Sequence, residues 1–81
     1  MTREEIKEKV KGFLIDELEI DEEKIFDDAR LKVDVGIDSL DYVDIVVIVK
    51  RIFGFKIETG ELKEVNTLNQ FYDYLEEKVN K

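Results

Sequence analysis

The sequence contains neither cysteine nor histidine, and these two absences exclude much chemistry. Without cysteine, the chain cannot form a disulfide, supply a thiol nucleophile or build a zinc–thiolate site. Without histidine, it lacks the side chain used most often as a general base and as a metal ligand. We therefore expect no metal site and no catalytic residues, and we predict that the protein is not an enzyme.

Long hydrophobic runs are absent as well. The longest run of consecutive apolar residues, at positions 45–49, has five members, whereas a helix that crosses a membrane needs about 20. Residues 1–5 are rich in charge and lead into no apolar stretch, so they do not resemble a secretory signal. These features predict a soluble, cytoplasmic protein with no membrane span.

The length and composition predict one small folded domain. A chain of 81 residues suffices for a single domain over residues 1–81, without room for a second core or a lid. The hydrophobic fraction of 43% is enough for a compact fold even though 42% of the residues are charged. We expect the domain to be a monomer.

The negative charge is concentrated in the middle of the chain. The formal net charge is −8, and residues 19–49 hold three basic residues against ten acidic ones. Such a segment repels nucleic acid, which binds clustered lysine and arginine. It attracts proteins with basic patches. A simpler alternative, that the acidity only keeps a small domain soluble, stays open at this point.

Two segments have the pattern of amphipathic helices with capped starts. Thr2 and Glu5 fit a capping box, and the apolar residues that follow recur on one helical face, which predicts a helix over residues 3–17. Thr67 and Gln70 repeat the pattern ahead of a second apolar face that extends to Val79. Residues 61–65 could form one or two further helical turns.

Residues 38–53 are harder to assign, because the run at 45–49 is β-branched throughout and by propensity alone would form a strand. Strand alternation fails, whereas a helix with Asp38 as its N-cap fits. On that helix one side carries Leu40, Asp41, Asp44, Val47, Ile48 and Arg51. The other side, which we expect to face the core, carries Tyr42, Val43, Ile45, Val46, Val49 and Phe53.

The remaining long segment, residues 19–37, shows no sustained period. Its apolar residues are scattered among acids, which predicts a long loop pinned to the core, ending in a turn where Gly36 is free to take a positive φ. The predicted fold is therefore all-α: a small bundle of three main helices plus one short helix, with a long loop after the first helix.

Paired carboxylates, such as Asp38 with Asp41 or Asp41 with Asp44, could in principle perform acid–base catalysis. Nothing in the sequence indicates a buried pocket that would shift their pKa values. We interpret them instead as a solvated acidic face.

One motif carries a specific resemblance. Residues 34–40, Asp-Val-Gly-Ile-Asp-Ser-Leu, resemble the D-L-G-x-D-S-L signature of the acyl carrier protein family, with Val35 in place of the usual leucine. Residues 25–31 resemble that family's loop, residues 41–46 resemble its second helix, and the similarity runs from about residue 3 to residue 79 without a gap.

The resemblance implies that Ser39 carries 4′-phosphopantetheine as a covalent cofactor, transferred from coenzyme A by a separate magnesium-dependent transferase. Local physics agrees, because the first turn of a helix leaves backbone N–H groups and a dipole that favour a phosphate. The imported thiol would also account for the missing cysteine. Taken alone, a serine at this position would be an ordinary helix-start residue.

The resemblance also implies partners and a place for the cargo. The partners are a phosphopantetheinyl transferase and acyl-processing enzymes with basic docking patches. The residues expected to dock them are Asp38, Leu40, Asp41, Asp44, Val47 and Arg51. In the family the acyl chain can retract between the helices. Candidates for lining that space are Val43, Val46, Val49, Phe53 and Leu68, although each could equally be ordinary core.

Two departures from the family pattern leave the pathway open. Lys50, Arg51 and Ile52 stand near the end of the helix where fatty-acid carriers usually have glutamates, and residues 57–60 lack the expected proline. The leading hypothesis is a carrier for fatty acid or related acyl-chain biosynthesis. The alternatives are a specialised carrier for a secondary-metabolite, aminoacyl or lipid-modification pathway, or an unmodified adaptor of the same fold.

Overall fold

The computed structural model describes residues 1–80 and is mostly helical. The helices are α1 (Arg3–Asp16), α2 (Ser39–Phe53), α3 (Thr59–Leu62) and α4 (Leu68–Val79). Between α1 and α2 lie a 3₁₀ turn (Glu22–Lys24) and a π-helical turn (Leu31–Val35). No strand occurs in residues 1–80, so the predicted all-α class is confirmed.

The two predicted capping boxes are both present. Thr2 accepts a hydrogen bond from the Glu5 backbone N–H at the start of α1, and Thr67 accepts one from Gln70 at the start of α4. The two helices pack against each other and are joined near the N-terminus by Arg3, whose guanidinium lies 2.7 Å from the Asp73 carboxylate. The start of α1 is thereby tied to α4.

One continuous hydrophobic core is formed by residues from all four helices and from the segment between α1 and α2. The residues described include no buried polar or charged side chain. The largest side chains with almost no exposed surface are Phe71, Ile6, Leu14, Ile45, Ile57, Leu62, Leu68, Leu75, Val10 and Val49.

Helix α2 forms as predicted, but the prediction of its faces was partly wrong. Ile48, expected on the outer side, is only 5% exposed, and Val43, expected in the core, is 61% exposed. The side chains of α2 that are fully buried are Tyr42, Ile45, Ile48 and Val49. Because apolar residues occur all around this helix, hydrophobicity does not determine which stripe packs inward.

The segment between α1 and α2 is more regular than the predicted loop, since it contains the 3₁₀ and π-helical turns. Its attachment to the core is confirmed for Leu31 and Ile37, which are buried, and wrong for Val33 and Phe26, which are exposed. Part of this attachment is made by backbone hydrogen bonds. The Leu31 N–H donates to the Asn66 carbonyl at 2.8 Å, and the Leu68 N–H donates to Ala29 at 2.9 Å. The segment is therefore tied to the start of α4.

Candidate functional site

The π-helical turn leads directly to the start of α2. The Asp34 carboxylate accepts hydrogen bonds from the Arg30 backbone N–H at 2.9 Å and from the Arg30 side chain at 3.3 Å. These bonds, the backbone one foremost, lower the pKa of Asp34. Because the folded-state pKa is lowered, this contribution to stability is present above the unfolded pKa and is lost as the pH falls through the lowered value. Asp34 thus helps to close the turn at neutral pH.

Gly36 ends this turn in the left-handed conformation, with a φ of 85°, as the sequence predicts. Such a φ is costly for residues with a side chain, so glycine is the suitable residue here. The reversal buries Ile37 in the core and turns the chain outward again at Asp38 and Ser39, both of which are exposed.

Ser39 is the first residue of α2, and two aspartates fix the helix start around it. The Asp38 carboxylate accepts hydrogen bonds from the backbone N–H groups of Leu40 and Asp41, both at 3.0 Å. The Asp41 carboxylate accepts one from the Asp38 backbone N–H at 3.2 Å. This reciprocal capping box holds Ser39 at a rigid position while leaving its hydroxyl accessible.

Removing the cap at Asp38 should weaken the fold at this position. We expect Asp38→Ala to lower the free energy of unfolding by about 1 kcal/mol, because the N–H groups of Leu40 and Asp41 lose their acceptor. Asp38→Ser, which keeps a capping oxygen, should stay close to the wild type. Urea unfolding of the three proteins measures the difference, and equal stability of the Ala and Ser variants would show that the cap is not stabilising.

A groove of about 450 Å³ begins at Ser39 and runs between α2 and α3. On the α2 side it is lined by Tyr42, Val43, Val46 and Val47. Facing them, it is lined by Thr59, Lys63 and Lys32, which come from α3, its C-terminal cap and the π-helical turn. An exposed hydroxyl therefore stands beside a mainly apolar space with basic residues at its edge.

The structure separates the predicted lining residues into two groups. Val43 and Val46 line the groove. Val49 and Leu68 are fully buried core residues, and Phe53 packs partly buried against the core. The other groove residues were not predicted to line it: Lys32, Tyr42, Val47, Thr59 and Lys63. No local sequence motif indicates that Lys32 or Lys63 lines the groove, because each is separated in sequence from most of the other groove residues.

The predicted docking residues extend along α2, from its N-cap Asp38 to Arg51 in its last turn. Leu40 and Val47 are exposed, as is Asp44 between them, and Val43 adds to the apolar surface. Asp41 differs from the expectation of a solvated side chain. It is half-buried and engaged in the capping box, so its main role in the structure is local.

Arg51, also predicted to dock partners, forms an ion pair with Glu17 at the end of α1. Its side chain remains largely exposed, but its charge is balanced within the chain. Lys50 is exposed as well. The positive charge at this end of α2 therefore contributes, through Arg51, to the contact between α1 and α2.

The fold and site together define a class: a small acidic helical carrier domain that presents one serine hydroxyl at a helix start beside an apolar groove. A family model described as "Phosphopantetheine attachment site" matches residues 8–75. The chain belongs to this family, and its prosthetic group is 4′-phosphopantetheine. The residues present suit such a group, since an accessible hydroxyl at a helix start has two lysines lining the same groove.

Curated relatives match the chain over nearly its whole length. It is 37% identical to an acyl carrier protein of Thermotoga maritima over 78 residues, which covers 96% of both chains. It is 38% identical to an acyl carrier protein of Petrotoga mobilis, covering 99% of this chain and 94% of the relative. An acyl carrier protein of Thermosynechococcus vestitus is 34% identical and is covered to 98%, as is this chain.

No helix in residues 1–80 is long and apolar enough to cross a bilayer.

Proposed function

We propose that this chain is an acyl carrier protein that holds acyl intermediates as thioesters on a 4′-phosphopantetheine arm attached to Ser39. It takes part in the synthesis of fatty acids or related acyl chains. The observation that carries the proposal is the exposed Ser39 hydroxyl, held by a capping box at the mouth of an apolar groove. The protein carries the acyl intermediate, and its partner enzymes catalyse the reactions of that intermediate.

The chain's own residues would position and shelter the group. Asp38 and Asp41 fix the helix start, so the Ser39 Oγ is presented to the transferase in one place. When bound, the prosthetic group supplies the thiol that the sequence lacks. Val43, Val46 and Val47 offer an apolar surface for an attached acyl chain, which reduces its contact with water.

The proposal is tested by loading the purified protein. Incubation with coenzyme A, magnesium and a broad-specificity phosphopantetheinyl transferase should raise the intact mass by one arm. The loaded protein should then accept an acyl group as a thioester that hydroxylamine removes. A chain that stays unmodified under conditions that load another carrier would overturn the proposal and favour an unmodified adaptor.

The cargo distinguishes fatty acid synthesis from a specialised pathway. In the sequence, Lys50 and Arg51 favoured a specialised pathway. The ion pair between Arg51 and Glu17, however, gives one of these two charges a role within the fold. The intact mass of the protein purified from its native host reports the attached acyl group. A saturated or 3-oxygenated alkanoyl chain supports fatty acid synthesis, and an aminoacyl group supports the alternative.

The proposed docking surface comprises Leu40, Val43, Asp44 and Val47 on the outer face of α2. Its three apolar residues are exposed, which favours contact with another protein over a role in this core. The acidic residue among them would steer basic partners, among them the transferase and acyl-processing enzymes. We propose that these encounters occur in the cytoplasm and that the carrier takes part in them as a monomer.

Reversing the charge of Asp44 should slow the transferase. The Asp44 side chain is exposed and makes no hydrogen bond or ion pair with another side chain of residues 1–80, so we expect Asp44→Lys to leave the fold intact. At low salt it should reduce kcat/KM for phosphopantetheine transfer about 3- to 10-fold, and the deficit should shrink near ~0.5 M salt as screening increases.

Glu77→Lys provides the matched control, because Glu77 is an exposed acid on α4 and the change in net charge is identical. If transfer slows equally in both variants, net charge accounts for the effect. In that case the α2 surface has no special part in docking.

A further inference from the structure

The π-helical turn carries an exposed surface whose chemistry differs from that of the α2 docking surface. Val33 is apolar and yet 67% exposed, and Arg30 and Lys32 are exposed beside it. A cavity of about 220 Å³ lies between this turn and the segment that precedes α4. The residues that line the cavity, called here the basic turn surface, are Arg30, Lys32, Val33, Val65 and Asn66. This surface combines positive charge with an apolar contact, whereas α2 presents an acidic residue among its exposed apolar side chains.

Hydrogen bonds fix the backbone on both sides of this cavity. The Leu31 N–H donates to the Asn66 carbonyl at 2.8 Å. The N–H groups of Asp34 and Val35 donate to the Arg30 carbonyl at 2.9 and 3.0 Å. The basic turn surface is therefore formed before any partner arrives, and binding does not have to order the backbone that carries it.

The Arg30 guanidinium is oriented by one ion pair and keeps most of its donors free. Its Nε donates to the Asp34 carboxylate at 3.3 Å, whereas its two terminal nitrogens make no hydrogen bond within residues 1–80. A guanidinium binds carboxylates best through two parallel hydrogen bonds from neighbouring nitrogens. The free edge of Arg30 is therefore suited to a second carboxylate, supplied from outside the chain.

Lys32 adds a second positive charge at the same cavity. It is exposed and forms no ion pair with any side chain in residues 1–80. The side-chain amide of Asn66 is exposed as well and can donate or accept a hydrogen bond. Between these polar groups, Val33 and Val65 provide apolar walls. The cavity is large enough for one aliphatic side chain whose flanking carboxylates reach the two cations.

We propose that the basic turn surface docks an acidic segment of a partner protein: an apolar side chain of that segment enters the cavity beside Val33, and carboxylates on either side of it bind Arg30 and Lys32. Charge complementarity favours this partner. Nucleic acids and anionic membranes carry dense negative charge over a wide area, which a chain with a net charge of −8 repels. A short acidic segment needs to approach the basic turn surface alone.

The proposal goes beyond the carrier role, because it gives the chain a second docking surface for partners of opposite charge. Basic partners approach the acidic residue of α2, and acidic partners approach the basic turn surface. The inference does not depend on the arm at Ser39, so the unmodified full chain is sufficient to test it.

Nuclear magnetic resonance titration with the peptide Ac-Glu-Leu-Asp-NH2 provides the test. The titration is run at ~0.15 M salt, where a Debye length of about 8 Å screens the distant acids of the chain. We expect shift changes at the amides of Lys32, Val33 and Asn66, with a dissociation constant on the order of 1 mM. The peptide Ac-Glu-Ala-Asp-NH2 should bind about threefold more weakly or worse, because alanine buries less apolar surface in the cavity.

Variants assign the contacts without disturbing the backbone bonds of the turn. Arg30→Gln with Lys32→Gln should weaken binding of the leucine peptide about three- to tenfold. Lys9→Gln with Lys24→Gln is the matched control, because it changes the net charge equally at exposed lysines that do not line the cavity. This control should bind like the wild type. Val33→Ser should reduce the preference for the leucine peptide over the alanine peptide.

Three results would overturn the inference. One is the absence of shift changes at Lys32, Val33 and Asn66 at peptide concentrations about tenfold above the expected constant. Another is equal weakening in the two double variants, which would mean that net charge alone attracts the peptide. The third is that inorganic phosphate changes the Val33 and Val65 signals as strongly as the leucine peptide does, because no apolar side chain is then involved. Each leaves the carrier role standing, since loading of Ser39 is measured separately by intact mass.

Discussion

Ser39→Ala should accept no phosphopantetheine at all, while the wild type is modified to completion. The reaction joins the phosphate to a hydroxyl oxygen, and at the start of α2 only the Ser39 Oγ is held in an exposed position by the capping box. Replacing it with alanine removes the acceptor atom, so the expected effect is complete loss. Intact mass after incubation with coenzyme A, magnesium and the transferase measures it.

Thr59→Ala is the matched control for this loss, because Thr59 supplies the other aliphatic hydroxyl that lines the groove. It should be modified like the wild type. The Ser39 hydroxyl makes no hydrogen bond within residues 1–80, so Ser39→Ala should also keep the thermal midpoint of the wild type. Modification that persists in Ser39→Ala, or disappears in Thr59→Ala, would contradict the assignment of the attachment site.

Phe71→Ala should cause the largest loss of stability among simple truncations. Phe71 is only 2% exposed and is among the largest fully buried side chains of the core. Removing such a ring loses the stabilisation from its buried surface and leaves a cavity. Together these two effects lower the free energy of unfolding by about 3–5 kcal/mol. A small domain has a total stability of about 5–15 kcal/mol, so the variant should unfold at much lower urea concentration.

Phe26→Ala serves as the control for Phe71→Ala because the side-chain change is the same and Phe26 is 50% exposed. We expect it to change stability by about 1 kcal/mol or less. Equal losses in the two variants would mean that Phe26 is buried in solution and that the segment between α1 and α2 packs more tightly against the core.

The helices with a capped start and a single apolar stripe could be predicted from the sequence. In α1 and α4 the capping boxes set the first residue, and the spacing of apolar residues set the buried face. Helix α2 could be recognised as a helix by its N-cap, but its orientation could not be predicted. With valines and isoleucines on every side, the exposure of Val43 and the burial of Ile48 depend on what packs against them.

The candidate functional site also contains one part that the sequence predicts and one part that it does not. Ser39 and its capping aspartates are neighbours in sequence, so a local motif identifies them. The groove is assembled from α2, α3 and the π-helical turn, and the lysines at its edge meet only when the chain has folded. Likewise, the partner of Arg51 is Glu17, on a different helix, and no local pattern could have indicated that pair.

The hydrogen bonds that tie residues 27–31 to the start of α4 also bear on the order of folding. Ala29 and Asp27 accept bonds from the N–H groups of Leu68 and Asn69, and the Leu31 N–H donates to Asn66, so each bond joins residues separated by about half the length of the chain. Such contacts require closure of a large loop and form slowly compared with the turns of a helix. The segment that leads to Ser39 therefore cannot be held in place in a growing chain until α4 has left the ribosome. A transferase that requires this shape will act only after α4 has emerged and packed.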